Sequence, residues 1–407
     1  MLTITALLIL FLACLGQGAS PSQWRSRAIY QVLTDRFARS DGSTTAWCDT
    51  GSRTYCGGSW KGIVDHLDYI QGMGFDAIWI SPITLQLQQS TMYGQSYHGY
   101  WQQDLYSVNG NFGHADDLKA LSAALHAKGM YLMVDVVVNH VGWNGSPQSV
   151  NYTAFRPFNN ESYYHQYCQV DYSNSTSVVS CWLGDTNVPL PDLKTESPAV
   201  MTGYQKWISQ LLANYSIDGL RLDTVSEVNP QFWPGFVQAA KNSYMVGEVY
   251  DQNVTNVCSY QKTYDLPGVL NYPTYFPLTA AFQSPTGNMS ALVSTIDAVK
   301  STCGNPSLLG SFSENADVPR FAQLNGDLAA AQNLIAYTIL ADGIPILYQG
   351  QEQHYSSYGG SGDPFNREAL WFSGYNTTAP LYTLSKQLLA LRKWAGKLDD
   401  GYWGYNA

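Results

Sequence analysis

Residues 217–223 read Ile-Asp-Gly-Leu-Arg-Leu-Asp. In an extended chain successive side chains point to opposite faces, so Gly219, Arg221 and Asp223 share one face while Leu220 and Leu222 share the other. The leucine face suits packing against helices. The other face sets a guanidinium beside a carboxylate. An opposite charge within a few ångström lowers a carboxyl pKa by about 1–3 units, so Arg221 is expected to hold Asp223 ionised, with Asp135 as a second counter-charge. The plain alternative is a buried ion pair with no chemistry. Similar β-rich runs recur at 28–33, 75–80, 131–138, 244–248, 308–312 and 344–348, with a weaker one at 268–270. Helical patterns lie between several of them. At 115–128, Leu118, Leu121, Ala124 and Leu125 fall on one face and Gly129 stops the helix; 199–214, 326–341 and 381–393 read similarly. Alternating strands and helices imply a parallel sheet covered by helices, and eight strands imply an α/β fold of the (β/α)8 TIM-barrel type. A doubly wound open sheet is the alternative, but no GxGxxG opens a helix.

Residues 141–197 break the rhythm. They carry many tyrosines, sequons at Asn144, Asn151, Asn160 and Asn174, and the pair Cys168 and Cys181. A structureless loop of that length is uncommon, so an inserted small domain after strand three is expected, pinned by a disulfide or a metal. The barrel then comprises 19–140 and 198–395.

Composition narrows the function classes. The chain has 407 residues, 21 Lys plus Arg, 31 Asp plus Glu and a net charge of −10, which argues against nucleic-acid phosphates as partner. Aromatic residues make up 14 %, which suits stacking on flat or ring-shaped ligands. Residues 6–15 (ALLILFLACL) are apolar but fall short of the roughly 20 residues a membrane span needs. Gly16, Gly18, Ala19 and Ser20 follow, so residues 1–18 read as a signal peptide and the protein as secreted. With Cys14 removed, Cys48, Cys56, Cys168, Cys181, Cys258 and Cys303 remain. An even number in a secreted chain implies disulfides, and sequence order favours Cys48–Cys56 and Cys168–Cys181, leaving Cys258–Cys303. Zinc is the competing use, but no CxxC or HxxxH spacing supports it. Further sequons stand at Asn214, Asn253, Asn288 and Asn376, so glycosylation is expected.

The active sites of such barrels lie at the C-terminal ends of the strands. One strand ends in Val-Gly-Glu at Glu248, and another runs into Phe312-Ser-Glu-Asn-Ala-Asp317. With Asp223, two or three carboxylates converge on one mouth. Glycoside cleavage needs such a set: an ionised carboxylate as nucleophile and a protonated one as acid.

At these residues the chain resembles glycoside hydrolase family 13, in particular its secreted fungal α-amylases. The matching segments are TDRFAR (34–39), GYWQQD (99–104), DVVVNH (135–140), LPDL (190–193), GLRLDTV (219–225), GEV (247–249), SENAD (313–317) and GIPILYQGQEQ (343–353). The resemblance implies an endo-acting, retaining hydrolase of α-1,4-glucans such as starch, glycogen and maltooligosaccharides. Asp223 would be the nucleophile, Glu248 the acid and then the base, and Asp317 the stabiliser of the distorted sugar that also raises the pKa of Glu248. Arg221, His98 and His140 would line the subsite of the reacting glucose, Tyr100 would stack on its ring beside Trp101, and Asp363 with Arg367 would clamp the sugar. Calcium is the implied cofactor, held by Asn139, Asp192 and the backbone carbonyl of Glu227.

The pattern also departs from the family. A further calcium carboxylate falls at Val179. The histidine before the last catalytic Asp is Ala316, and the usual Asn after it is Val318. The Lys-His pair that grips the departing sugar is Ser226-Glu227. Losing one donor to the transition state can cost a few kcal/mol of barrier. These changes favour the alternative of a 4-α-glucanotransferase acting on α-glucan of the fungal cell wall; a weakly active glucan-binding protein is the third reading. The family's C-terminal β-sandwich is not recognised, and residues 396–407 read as the start of a truncated C-terminal region. The expected partner is an α-glucan, with neither nucleic acid nor a membrane span, and the protein is expected to be a secreted monomer, with cell-wall association as an option.

Overall fold

The computed structural model describes residues 18–398. The proposed signal segment, all but Gly18, and residues 399–407 of the proposed C-terminal region lie outside the described residues. Eight parallel strands form one sheet: β1 (Ile29–Val32), β2 (Ala77–Ile80), β3 (Tyr131–Val136), β4 (Gly219–Leu222), β5 (Tyr244–Gly247), β6 (Gly268–Val269), β7 (Gly310–Ser311) and β8 (Ile344–Tyr348). Their order is β6-β5-β4-β3-β2-β1-β8-β7. A parallel bridge between Leu270 and Gly310 joins the two ends, and the Asn271 N–H donates to the Gly310 carbonyl at 2.9 Å. The sheet is therefore a closed (β/α)8 barrel, as the alternation predicts, and the weak run at 268–270 is one of its staves.

The side-chain period of two sorts the strands into two cores. Ile78, Ile80, Leu132, Val134, Leu220, Leu222 and Met245 face the helices. Ile29, Ala77, Trp79, Met133, Tyr244, Val246 and Ile346 face inward. Trp24, fully buried, plugs the lower end of the barrel. A Cβ on Gly219 would come within 2.6 Å of its ring, so glycine at that position lets the plug seat. One inward step further along β3 and β4, Asp135 pairs in register with Arg221. The barrel interior thus changes from apolar to charged within two residues, toward the strand ends where chemistry is expected.

The helices follow the expected stripes. Ala115–Ala127 buries Leu118, Leu121 and Leu125 and is followed by Gly129 at φ 68°. Pro198–Tyr215 opens with proline in its first turn and buries Tyr204, Trp207, Ile208 and Leu212. Leu328–Leu340 is capped by the Asp327 side chain on the Ala329 N–H. The last helix, Pro380–Leu398, runs beyond the expected 381–393.

Disulfides join Cys48 to Cys56, Cys168 to Cys181 and Cys258 to Cys303, the pairing that sequence order favours. The segment between β3 and Pro198 holds short 3-10 turns, one helical turn (Ser175–Val178) and two paired short strands (Leu183–Gly184 and Pro189–Leu190). Its Phe155, Phe158, Tyr164 and Leu193 are buried in the same cluster as Tyr204 and Trp207 of the barrel. An antiparallel pair not anticipated from the sequence, Thr84–Gln86 with Gln102–Val108, projects from the loop after β2. Its register shifts twice, so no clean alternation marks it in the sequence. Among the described residues no helix is long and apolar enough to cross a membrane.

Candidate active site

Arg221 is the hub. It is 2 % exposed, and its Nη1 lies 3.0 Å from Asp135 Oδ1 and 2.7 Å from Asp223 Oδ1, while Nη2 lies 2.7 Å from Glu248 Oε2. One guanidinium therefore ties together the ends of β3, β4 and β5. Asp135 is saturated, because Trp79 Nε1 donates to its Oδ2 at 3.1 Å and the Tyr100 hydroxyl at 2.8 Å. Thr224, just past β4, adopts φ 47°, ψ 47°, an uncommon conformation for a β-branched residue. That turn aims its N–H at Glu248 Oε2, 3.2 Å away. Local strain at this point thus serves to join the Asp223 strand to the Glu248 strand.

The expectation that Arg221 holds Asp223 ionised is corrected by the structure, although the guanidinium does lower the Asp223 pKa as expected. Burial pushes Asp223 up to about 7, against the pull of Arg221. Glu248 is likewise pushed up to about 7, and Asp135 up to about 6, both chiefly by burial. The reason is stoichiometric: one cation is divided among three buried carboxylates, and a single charge cannot repay the desolvation of all three. The cluster therefore keeps proton occupancy into the neutral range, a property of the group rather than of one member.

Asp317 follows β7 and stands at the rim with its side chain 38 % exposed. Its charge contributes to raising both Asp223 and Glu248. Arg367 Nη2 lies 3.1 Å from Asp317 Oδ1, and Arg367 Nη1 lies 3.0 Å from Asp363 Oδ1. Asp363, Arg367 and Asp317 are thus one assembly. Asn366 fastens the same loop by donating to the carbonyls of Ala316 at 2.9 Å and Val318 at 2.8 Å.

The histidine and aromatic residues also meet. His98 and Tyr100 stack with centroids 5.7 Å apart, and Trp101 meets His98 edge-on at 4.7 Å. His140 Nε2 is 3.1 Å from the Tyr100 carbonyl. Burial lowers the His140 pKa to about 4 and that of His98 well below the usual value, so both rings are neutral near pH 7. The unanticipated strand pair explains the grouping, since it carries residues 98–101 back over the mouth. Ala316 is buried against Leu33, Tyr97 and Tyr348 and offers no side-chain donor. The Ser226 hydroxyl donates to Glu227 Oε2 at 2.9 Å, and burial pushes the Glu227 carboxyl up to about 7.

Of the calcium candidates, the structure brings Asn139 and Asp192 together, through the His140–Asp192 bridge and the Leu193 N–H on the Asn139 carbonyl at 2.9 Å. Asp192 Oδ2 accepts from His165 at 2.6 Å, whereas its buried Oδ1 makes no hydrogen bond. An orphaned carboxylate oxygen beside an amide fits a hard cation. Among the described residues no three His, Cys, Asp or Glu side chains group to hold a metal ion, so a cation here would need carbonyl or water ligands as well. Glu227 lies on the turn Val225–Glu227 with its carboxyl bound to Ser226.

Sequence reasoning missed Tyr272 and Asn315. The Tyr272 hydroxyl lies 3.4 Å from Glu248 Oε1 and 3.0 Å from Asn315 Nδ2. Asn315 sits inside the SENAD segment, which was the available signal; nothing local marks Tyr272.

Residues 31–370 match the family model described as alpha amylase, catalytic domain. The chain is 52 % identical to Alpha-amylase 1 of Lipomyces kononenkoae over 94 % of its own length and 61 % of that protein's. It is 49 % identical to Alpha-amylase 2 of Schwanniomyces occidentalis, covering 97 % of this chain and 77 % of that one. The solved structure of an alpha-amylase from Malbranchea cinnamomea superposes with a TM-score of 0.92 at 54 % identity, covering 95 % of this chain and 81 % of the other. The match spans most of the barrel, including β2 to β8 and every carboxylate of the Arg221 cluster, and the chain belongs to the alpha-amylase family.

Proposed function

We propose that the protein is a retaining, endo-acting α-1,4-glucan hydrolase of the α-amylase type, acting on starch, glycogen or maltooligosaccharides. The observation that carries this reading is the single guanidinium shared by Asp223 and Glu248. It keeps two buried carboxyls close, as a retaining mechanism with its separation of about 5–5.5 Å requires. Glu248 protonates the glycosidic oxygen while Asp223 attacks the anomeric carbon and forms a glucosyl ester. Glu248, now ionised, takes a proton from water, which breaks that ester. Asp317, steadied by Arg367, faces the charge that develops on the sugar ring. His98, His140 and Arg221 line the subsite, with Tyr100 and Trp101 against the ring and Asp363 with Arg367 as clamp. Calcium, held by Asn139, Asp192 and the Glu227 carbonyl, would pin the 141–197 segment to the barrel as a structural ion.

The second reading is a 4-α-glucanotransferase. Buried Ala316 and the Ser226-Glu227 pair favour it, because both replace donors on the sugar-gripping surface. We also propose a secreted, glycosylated monomer: all eight sequon asparagines are exposed. Incubation with maltooligosaccharides tests the assignment. Shorter products alone support hydrolysis; longer products as well support transfer; no turnover refutes both.

A further inference from the structure

The two oxygens of the Glu248 carboxyl keep different company. Oε2 receives Arg221 Nη2 at 2.7 Å and the Thr224 backbone N–H at 3.2 Å. Both partners are obligate donors, so a proton has no room on Oε2 and the protonated acid carries it on Oε1. Oε1 is the oxygen that faces the Tyr272 hydroxyl, 3.4 Å away. That hydroxyl lies 3.0 Å from Asn315 Nδ2. The Asn315 amide cannot be reversed, because its Oδ1 already accepts the backbone N–H groups of Asp317 at 2.8 Å and Val318 at 3.1 Å. The direction of the chain follows: Asn315 N–H donates to the Tyr272 oxygen, and the Tyr272 O–H is left to donate to Glu248. Tyr272 is fully buried and Asn315 is 3 % exposed, so water does not compete for these bonds.

We propose that Tyr272, oriented by Asn315, is a positioning residue for Glu248 and donates to its reactive oxygen whenever that carboxyl is ionised. This rests on Glu248 being the acid and base of the proposed reaction. It places the contribution of Tyr272 in the second half-reaction, when Glu248 takes a proton from water. It also links that step to the Asp317 loop, since one asparagine holds both. A hydrogen bond to the charged form favours ionisation. Here Tyr272 works with Arg221 against burial and the charges of Asp223, Asp317, Asp135 and Glu227 that face the carboxyl, with the Tyr250 phenol also close by.

Tyr272→Phe is the test, because it keeps the ring contacts with Tyr250 at 4.7 Å and Phe312 at 4.9 Å. On maltooligosaccharides the alkaline limb of kcat/KM, which reports the free enzyme's acid, should move up by about half a pH unit. On an α-maltosyl fluoride, whose leaving group needs no proton, kcat and KM should fall together by roughly three- to tenfold while kcat/KM holds. A Tyr272→Phe enzyme with the wild-type alkaline limb and fluoride kinetics overturns the proposal alone. Full activity in Glu248→Gln overturns it together with the reaction it rests on.

Discussion

Arg221→Lys keeps a positive charge and removes the fork. The guanidinium reaches Asp223 through one terminal nitrogen and Glu248 through the other, each at 2.7 Å. An ammonium is a single point and cannot span both. With Asp135 and Asp223 nearest along the shorter side chain, the contact to Glu248 is the one lost. A hydrogen bond to a charged group contributes about 1.5–3 kcal/mol, and more is lost when a buried charge is left without its partner. Taking about 3 kcal/mol as the loss in transition-state stabilisation gives roughly a hundredfold fall in kcat/KM. The freed Glu248 loses a neighbour that lowers its pKa, so its alkaline limb should also move to higher pH. The assay is kcat/KM against pH on a maltooligosaccharide of fixed length, with a melting curve to show that the variant is folded. A folded Arg221→Lys enzyme within threefold of wild type would show that the shared guanidinium is not what brings the two carboxyls into working geometry.

Asp223→Asn should abolish hydrolysis and transfer alike, by at least about a thousandfold in kcat; reducing-sugar release near the wild-type rate would remove Asp223 from the nucleophile role. The raised carboxyls carry a stability signature. A carboxyl whose folded pKa lies above its unfolded value binds more protons in the folded state, so its contribution is present below about pH 4 and is lost as pH rises through about 7. Glu248→Gln should therefore melt higher than wild type at pH 8, with the difference closing toward pH 4; calorimetry showing no pH dependence in that difference would contradict the burial argument. Chelation should lower the melting temperature and added calcium should restore it, while Asp192→Asn should remove that response. An unchanged melting curve would count against an ion at Asn139 and Asp192.

Much of the architecture lies in local pattern. Alternation along 217–223, apolar stripes at helical spacing and a stop at Gly129 are written in neighbouring residues, and each reports the face it buries. Even the weak run at 268–270 is a stave of the barrel, because closure supplies the partners its short length lacks. The disulfides follow from order along the chain. The carboxylates at strand ends were identifiable for the same reason, since strand ends are local features and the barrel brings all of them to one mouth.

The strand pair at Thr84–Gln86 and Gln102–Val108 was hidden because its register slips, and with it the means by which His98, Tyr100 and Trp101 reach the site. Tyr272 was hidden because its significance lies in Glu248 and Asn315, 24 and 43 residues away. The Asp223 pKa is not legible in the sequence, because the residues around it show charge and not burial. The linear chain thus settles which groups exist and which face each presents. Proton affinity and alignment depend on how much water is excluded and how many carboxyls share one cation, quantities that arise only when distant segments are packed together.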